Sequence, residues 1–536
     1  MSDGLERNTR TVMLLTTLSR ITGLIRDGVF SRLLGTYIEK SWFDFAFLIP
    51  NAFRRLFGEG ALSAAFLPTY QRVTAEDKRM AAALAGGVLG ALAVGLGAIV
   101  VLGESVLFLV SAASGHEDPS LFLLMLTLPY IPLVCIVAIV GAMLHVHGKF
   151  GPTAATPLIL NGCIITATLI GWKMFDTTTP NDRLAITAMA AGSVIVAGFF
   201  QVAWSLWALR GKATMLLDVR GALQPLSEVF RRAAPMILGL GVLQINTLID
   251  GLIASWPALV DDPTVFGHEY PLNEHAMAVI SYSQRLYQFP LGVFGLAVAT
   301  VIYPLLTGLA GNPGRFTTTV RRGVRLVLFI SIPASVGLLL VREPLTRVIL
   351  QGGAFTEADT AKVSFVLIGY AASIWAYMLI QILTRAFYAR DEVMTPVRIA
   401  MAMVSLNLVL NLTLIWTPLG VAGLAWSTAI CAAIQAVLLI VILRKRGVAP
   451  VNREVWSTLG RILIATAIMA ACVWGLSLVW PARESMFGSI VRLMGLTATG
   501  GLVILVVASA MRMHEWRWVI GHASGLDGDA STMDDH

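Results

Sequence analysis

The chain has 536 residues, 56% of them hydrophobic and only 13% charged, with a mean hydropathy of +0.76. Soluble chains carry roughly 25% charged residues, so about half the charge that a water-facing surface needs is missing. The low charge excludes a disordered chain and four cysteines exclude a disulfide scaffold, while the formal charge of +7 raises the question of which loops carry it rather than of nucleic-acid binding.

What remains is an all-α polytopic membrane protein. A membrane-spanning helix needs about 20 apolar residues. Such runs lie near 10–36, 41–72, 80–112, 120–145, 152–174 and 183–209. A second set lies near 230–255, 277–310, 320–341, 362–388, 396–416 and 420–443, and two more follow near 458–480 and 489–512. That makes about fourteen transmembrane helices. The polar start MSDGLERNTR lacks the pattern of a cleaved signal, so the first helix is expected to stay.

Positive charge falls on alternate connections. Arg72, Lys78 and Arg79 follow the second run, Arg210 and Lys212 the sixth, and Arg444, Lys445 and Arg446 the twelfth. The other connections are acidic, with Glu117, Asp118, Asp176, Asp182, Asp261 and Asp262. The positive-inside rule then places both termini in the cytoplasm. Residues 214–229 (MLLDVRGALQPLSEVF) read as an amphipathic linker helix on the cytoplasmic face. The expected organisation is a lobe over 1–213, the linker, a second lobe over 230–445, two extra helices within 446–512, and a polar tail over 513–536. The two lobes repeat weakly: Pro152 and Pro396 occupy similar places, as do Pro68 and Pro304. An even number of crossings per lobe makes the repeat parallel.

Several charges fall inside these runs. Arg20, Gly23 and Asp27 share one face of the first helix, with Arg26 and Arg32 beside it. The second run carries Asp44, then Arg54, Arg55 and Glu59 after a kinking Pro50, and Arg55 and Glu59 are spaced to pair. Arg285 lies in the eighth. An arginine at the bilayer centre costs about 2.5–3.5 kcal/mol, so these groups face a wet cavity or a partner. Arg26 and Arg32 have snorkelling to the interface as an alternative, and Arg20, Arg54 and Arg285 have internal pairing. Arginines in excess of carboxylates otherwise make an anion site suited to phosphate. Asn246 with Asp250, Asn407 with Asn411, and Ser427 with Thr428 offer oxygen ligands to a small cation, or interhelical hydrogen bonds. With no GxxxxGK[ST], no HExxH and no nucleophile–base pair, the sequence reads as a transporter and not an enzyme.

The runs SRITGLIRDGVFSRLLG and FAFLIPNAFRRLFGEGALSAAFLPTYQ resemble the N-terminal signature of the MurJ (MviN) lipid II flippase family. SQRLYQFPLGVFGLAVATVIYPLL and AFYARDEVMTPVRIA resemble its second half. The family sits within a superfamily of multidrug exporters and polysaccharide-lipid flippases that shares two six-helix lobes, and the two extra helices are a feature of this branch. The resemblance implies that Arg20, Arg26, Arg54 and Arg285 bind the pyrophosphate headgroup of lipid II, the peptidoglycan precursor. It implies that Glu59 gates or pairs with them and that the last two helices hold the undecaprenyl tail; Asp27, Asp44 and Arg55, the last spaced to pair with Glu59, are further gating or ion-pairing candidates read from the residues themselves. A Na⁺ site in the second lobe would map to Asp250, Asn407, Asn411 and Ser427. Where many members have an acid near the start of the second helix, this chain has Ser41, with Asp44 one turn on.

The expected function is thus lipid II flipping across the bacterial inner membrane by alternating access. It needs no resident cofactor, and its driving force would come from an ion gradient such as Na⁺, from the membrane potential or from consumption of product outside. Its partners would be lipid II, membrane lipids and, as candidates, cell-wall synthesis proteins. Flipping of another polyprenyl-linked glycan, cation-coupled drug export and a lipid-binding scaffold are the alternatives. A scaffold would tolerate Arg→Lys changes that a bidentate site would not.

Overall fold

The computed structural model describes residues 2–58, 61–114, 118–216, 218–260, 263–265, 267–292, 305–309, 311–481 and 485–516. Side chains are described from residue 11 onward, apart from 58, 61, 114, 238–240, 242, 243 and 289. The helices in order are α1 (Ser2–Leu34), α2 (Ile38–Phe53), α3 (Ala61–Glu76), α4 (Lys78–Ser114), α5 (Pro119–Thr127), α6 (Tyr130–Val146), α7 (Gly151–Met174) and α8 (Pro180–Leu209). Then come α9 (Leu223–Leu259), α10 (Ala276–Pro290), α11 (Pro313–Leu350), α12 (Glu357–Tyr388), α13 (Met394–Leu414) and α14 (Ala422–Lys445). α15 (Arg453–Val479) and α16 (Met486–Ala510) complete the set, and a two-residue hairpin, β1 (Thr264–Val265) with β2 (His268–Glu269), lies between α9 and α10.

Every expected run is helical where it is described. The second is α2, a π-helical turn at Arg54–Gly58, and α3; the fourth is α5 with α6; the eighth is α10, with residues 293–304, including Pro304, outside the described residues. Among the described residues, ten helices are long and apolar enough to cross a membrane by composition alone. α1, α2 with α3, α9 and α10 do not reach that standard, and these are the helices that carry the charges discussed above.

Helix starts follow local chemistry. Asp118 accepts from Ser120 N at the start of α5, Thr179 from Asp182 N at α8, Asn452 from Val455 N at α15 and Ser485 from Gly488 N at α16. Each satisfies an amide that the first turn cannot bond internally. Within α2, Pro50 has no N–H to give to the carbonyl four residues earlier. That carbonyl, Ala46 O, instead accepts from Thr127 Oγ1 of α5 at 2.9 Å. The defect in one helix is thereby closed by a hydroxyl from another, as lipid surroundings require.

The chain forms two compact units. The first holds residues 1–281 with 349–359. Its core includes Phe30, Phe43, Phe66, Tyr70, Tyr130 and Ile139, all nearly inaccessible. α1 packs on α7, α7 and α6 on α8, and α9 against α2 and α3. Residues 349–359 meet the end of α1: Ser31 Oγ donates to Leu350 O at 2.8 Å, Ala354 N to Arg32 O at 2.8 Å, and Thr36 Oγ1 to Asp359 Oδ1 at 2.8 Å. Glycine permits this approach. Gly353 has φ +56°, and a Cβ there would lie 2.1 Å from Arg32 O. Glu228, at the start of α9, bridges Arg72 and Arg232 at 2.6 Å each, and the Arg72 hydrogen bond holds its carboxyl below the usual range.

The second unit holds residues 282–348 and 360–536. In it α13 packs on α14 and α15 on α16. Met469, Val473 and Leu496 of the last two helices pack against Val336, Leu340 and Val341 of α11. Arg325 of α11 pairs with Glu454 and, at 2.6 Å, with Glu515.

Two expectations need correction. Residues 214–229 are not one amphipathic helix: Leu216 N bonds Ala82 O, a 3₁₀ turn spans Arg220–Ala222, and α9 starts at Leu223 and runs into the seventh span. Pro225 permits this because it falls in the first turn, where its missing N–H has no helical partner. The compact units divide at 281/282 rather than near 213–230, because α9 packs on α2 and α3. Of the polar tail, residues 517–536 lie outside the described residues; Met513 and Glu515 are buried, Glu515 paired with Arg325.

Candidate anion-binding site

On α1, Arg26 is 8% exposed and Asp27 7%. Arg26 Nε and Nη2 both donate to Asp27 Oδ1, at 3.1 and 2.7 Å, and Nη1 donates to Asn161 Oδ1 of α7 at 3.1 Å. Asn161 Nδ2 returns to α1, donating to Ser19 O at 3.2 Å and Thr22 Oγ1 at 3.1 Å. Arg26 therefore does not snorkel: a carboxylate and an amide inside the protein replace the water it would seek. Arg20 is half-buried one helical stretch earlier. Arg32 is also half-buried and gives Nη1 to Gly28 O and Ile349 O.

On α2, Lys40 pairs with Asp44, and both side chains are nearly enclosed. The Lys40 ammonium lies 5.6 Å from the Phe30 ring centroid and 6.0 Å from that of Phe43, and within electrostatic reach of Asp27 and Arg26. Two cations and two carboxylates thus share one buried region of α1 and α2. Ser41, where the resemblance leads one to expect an acid, is fully buried and its Oγ accepts from Ala278 N of α10 at 3.3 Å. Beyond Pro50, Arg54 enters the π-turn and gives Nε and Nη2 to Asn51 Oδ1 at 3.1 and 2.9 Å. Arg55 is half-buried in the same turn, and Glu59 lies outside the described residues.

A further buried pair was not foreseen. Glu39 is 1% exposed and accepts from Arg183 Nε of α8 at 3.0 Å. The guanidinium of Arg183 lies 4.2 Å from the Tyr37 ring. Glu39 precedes the apolar run of the second helix and Arg183 lies far off in sequence, so no local spacing marks them.

In the second unit, Arg285 sits half-buried on a turn of α10 that is fixed to α12. Ser283 Oγ donates to Val363 O at 3.1 Å, Gln284 Nε2 to Tyr370 Oη at 3.0 Å, and Tyr287 stacks on Tyr370 with centroids 4.8 Å apart. Also in this unit, Asn411 Nδ2 donates to Asn407 Oδ1 at 3.0 Å, Asn407 Nδ2 to Ser427 Oγ at 3.2 Å, and Ser427 Oγ to Asn411 Oδ1. This closed triangle joins α13 to α14 and contains no carboxylate. Asp250 belongs to the first unit and accepts from Asn246 Nδ2 at 3.2 Å.

The family model described as "Lipid II flippase MurJ" matches residues 30–494. The chain belongs to that family. A Vibrio cholerae protein described as a probable lipid II flippase MurJ is 32% identical over 518 residues, covering 93% of each chain. A Rhizobium meliloti protein with the same description is 30% identical, covering 85% of this chain and 84% of the other. Among solved structures, a lipid II flippase MurJ in an inward closed conformation covers 95% of this chain and 99% of its own, with a TM-score of 0.74 at 23% identity. An inward-facing multidrug exporter of the MATE family has a TM-score of 0.63 at 13% identity, which places the MurJ family and the exporters on one fold. Arg54 and Arg285 fall within the span matched by the MurJ model; Arg20 and Arg26 lie on the same continuous α1, just before it begins.

Proposed function

We propose that this chain is a lipid II flippase of the bacterial inner membrane. It moves the undecaprenyl-pyrophosphate-linked precursor from the cytoplasmic to the outer leaflet by alternating access. Membership of the MurJ family over residues 30–494 carries this reading. Arg20, Arg26, Arg54 and Arg285 bind the pyrophosphate and adjoining headgroup. Arg54 gives Nε and Nη2 to the neutral Asn51 amide oxygen, and a phosphate oxygen offers the same edge a charge-assisted bond. Arg26 exchanges one anion for another, so its buried guanidinium is never unpaired, while Lys40 remains within reach of the Asp27 carboxylate.

Both termini lie in the cytoplasm, supported by the arginine- and lysine-rich alternate connections. The membrane potential drives the cycle: one charge crossing 100 mV is worth about 2.3 kcal/mol. The test is lipid II exposure on the outer leaflet of cells depleted of their own flippase and expressing this chain or its Arg285→Ala variant. Restored exposure with the parent and none with the variant is expected. A well-expressed parent that leaves lipid II inside overturns the cargo, and another polyprenyl-pyrophosphate glycan, which offers the same anion, takes its place.

A further inference from the structure

A crevice of about 580 Å³ opens in the first unit, and none of the arginines assigned to the cargo lines it. Its floor is apolar, made by Val29 and Leu33 of α1 and Leu169 and Trp172 of α7. Leu169 is 38% exposed and Trp172 51%, so the floor opens sideways to what surrounds the helix, which for a membrane-spanning helix is lipid. Its rim is cationic, formed by Arg32 near the end of α1 and Arg183 in the first turn of α8, beside the loop joining α7 to α8. Arg32 and Arg183 stand within one turn of their helix ends, and Leu169 and Trp172 lie in the last two turns of α7.

The rim has donors to spare. Arg32 uses only Nη1, so the Nε–Nη2 edge of its guanidinium has no acceptor among the described residues. That is the edge which grips two oxygens at once. Arg183 gives Nε to Glu39 and Nη1 to Thr178 O at 3.1 Å, which leaves Nη2 without an acceptor among the described residues. Tyr37 stacks against this guanidinium and fixes its plane. Glu39 balances Arg183, so Arg32 is the uncompensated charge. The loop's own carboxylates are held locally: Asp176 accepts from Thr178 N at 3.0 Å and Asp182 from Thr179 Oγ1 at 2.7 Å.

We propose that this crevice is a binding site for an anionic phospholipid, with its phosphodiester on Arg32 and Arg183 and an acyl chain along Leu169 and Trp172. The volume lies within the roughly 300–1,000 Å³ of small-molecule pockets. The occupied site bears on the contact beside it, since Arg32 also holds Ile349 O and its own carbonyl accepts from Ala354 N. A lipid that satisfies the free edge of Arg32 keeps that side chain in the rotamer which ties residues 349–359 to α1. The inference requires only that the chain spans a membrane and is independent of its cargo.

The experiment uses the full chain in nanodiscs of phosphatidylcholine doped with phosphatidylglycerol that carries a diazirine on one acyl chain, with cross-links mapped by peptide mass spectrometry. A diazirine phosphatidylcholine is the control. Phosphatidylglycerol is expected to label the 169–174 stretch about tenfold more than phosphatidylcholine, the ratio expected for a charge-assisted, two-pronged contact. Arg32→Gln should abolish the preference. Thr178→Glu, which sets a carboxylate on the exposed rim and leaves the Thr178 carbonyl in place, should do the same and keeps the test decisive should Arg32→Gln fail to fold. Equal labelling by the two lipids, or a preference that survives Thr178→Glu, overturns the proposal. So does displacement of the label by a polyprenyl pyrophosphate but not by unlabelled phosphatidylglycerol, which would make the crevice part of the cargo's route.

Discussion

Replacing Lys40 by Met tests whether the buried charges of α1 and α2 act as a balanced set. The Lys40 side chain is 4% exposed and that of Asp44 10%, so neither can turn to water when its partner is lost. Met keeps the length and packing of the lysine stem between Phe30 and Phe43 but leaves Asp44 without its cation, and within electrostatic reach of Asp27. Removing one member of a buried pair costs about 3–5 kcal/mol, and removing both in favour of apolar groups is close to neutral or better. Lys40→Met should therefore lower stability by about 3–5 kcal/mol, and Lys40→Met with Asp44→Leu should recover most of that loss. The assay is unfolding of the purified full chain in one detergent, parent beside both single variants and the double. A Lys40→Met loss under about 1 kcal/mol, the level of an exposed pair, would refute the reasoning, and so would a double variant whose loss is the sum of the singles.

Gly353→Ala must push residues 349–359 off α1, since its Cβ would meet Arg32 O and its φ of +56° costs an L-residue about 1–2 kcal/mol more; hydrogen exchange at the Ala354 amide should quicken markedly. Gly211→Ala, also at positive φ but with nothing within 4 Å, should leave that amide unchanged. The carboxyl of Glu228 is held below its unfolded value, so its contribution is present above about pH 4.3 and is lost as pH falls through the lower folded value. Glu228→Gln should flatten stability against pH in that acid window and leave the profile near pH 7 unaltered. Ser427→Ala opens the Asn407–Asn411–Ser427 triangle and should lower stability by about 0.6–1.7 kcal/mol in detergent unfolding, the range for hydrogen bonds between membrane helices.

Length and apolarity alone delivered the helices, because a span has few ways to hide its backbone in lipid. Pro50 announced a kink, yet nothing near it in sequence announces Thr127, whose hydroxyl takes the orphaned Ala46 carbonyl. The same holds for the charges. Arg26 and Asp27 are adjacent in sequence and Lys40 and Asp44 one turn apart, so those pairs are within reach of local reasoning, although Lys40 falls just before the run and escaped it. Glu39 with Arg183, and Arg26 with Asn161, are made by packing between distant helices and leave no local mark. The linker was misread because hydrophobic periodicity at 214–229 does not distinguish a separate surface helix from the polar first turns of a longer one. The burial of Glu515 depends on Arg325, a long way back in the chain, and likewise leaves no local mark.

The bond from Arg26 to Asn161 bears on how the protein reaches the membrane at all. α1 is made well before α7, yet it holds Arg26 and Asp27 within its span and is not among the helices apolar enough to cross by composition. Its amide partner is encoded 135 residues later. At about 5–20 residues per second, α1 waits roughly 7–27 s for α7 to be made. In that interval the Arg26–Asp27 pair is its own shelter, a neutral couple within one helix, aided by whatever polar niche the insertion machinery offers. The Arg26 site of α1 is therefore completed only when α7 arrives, and slow translation between α1 and α7 would prolong its most vulnerable state.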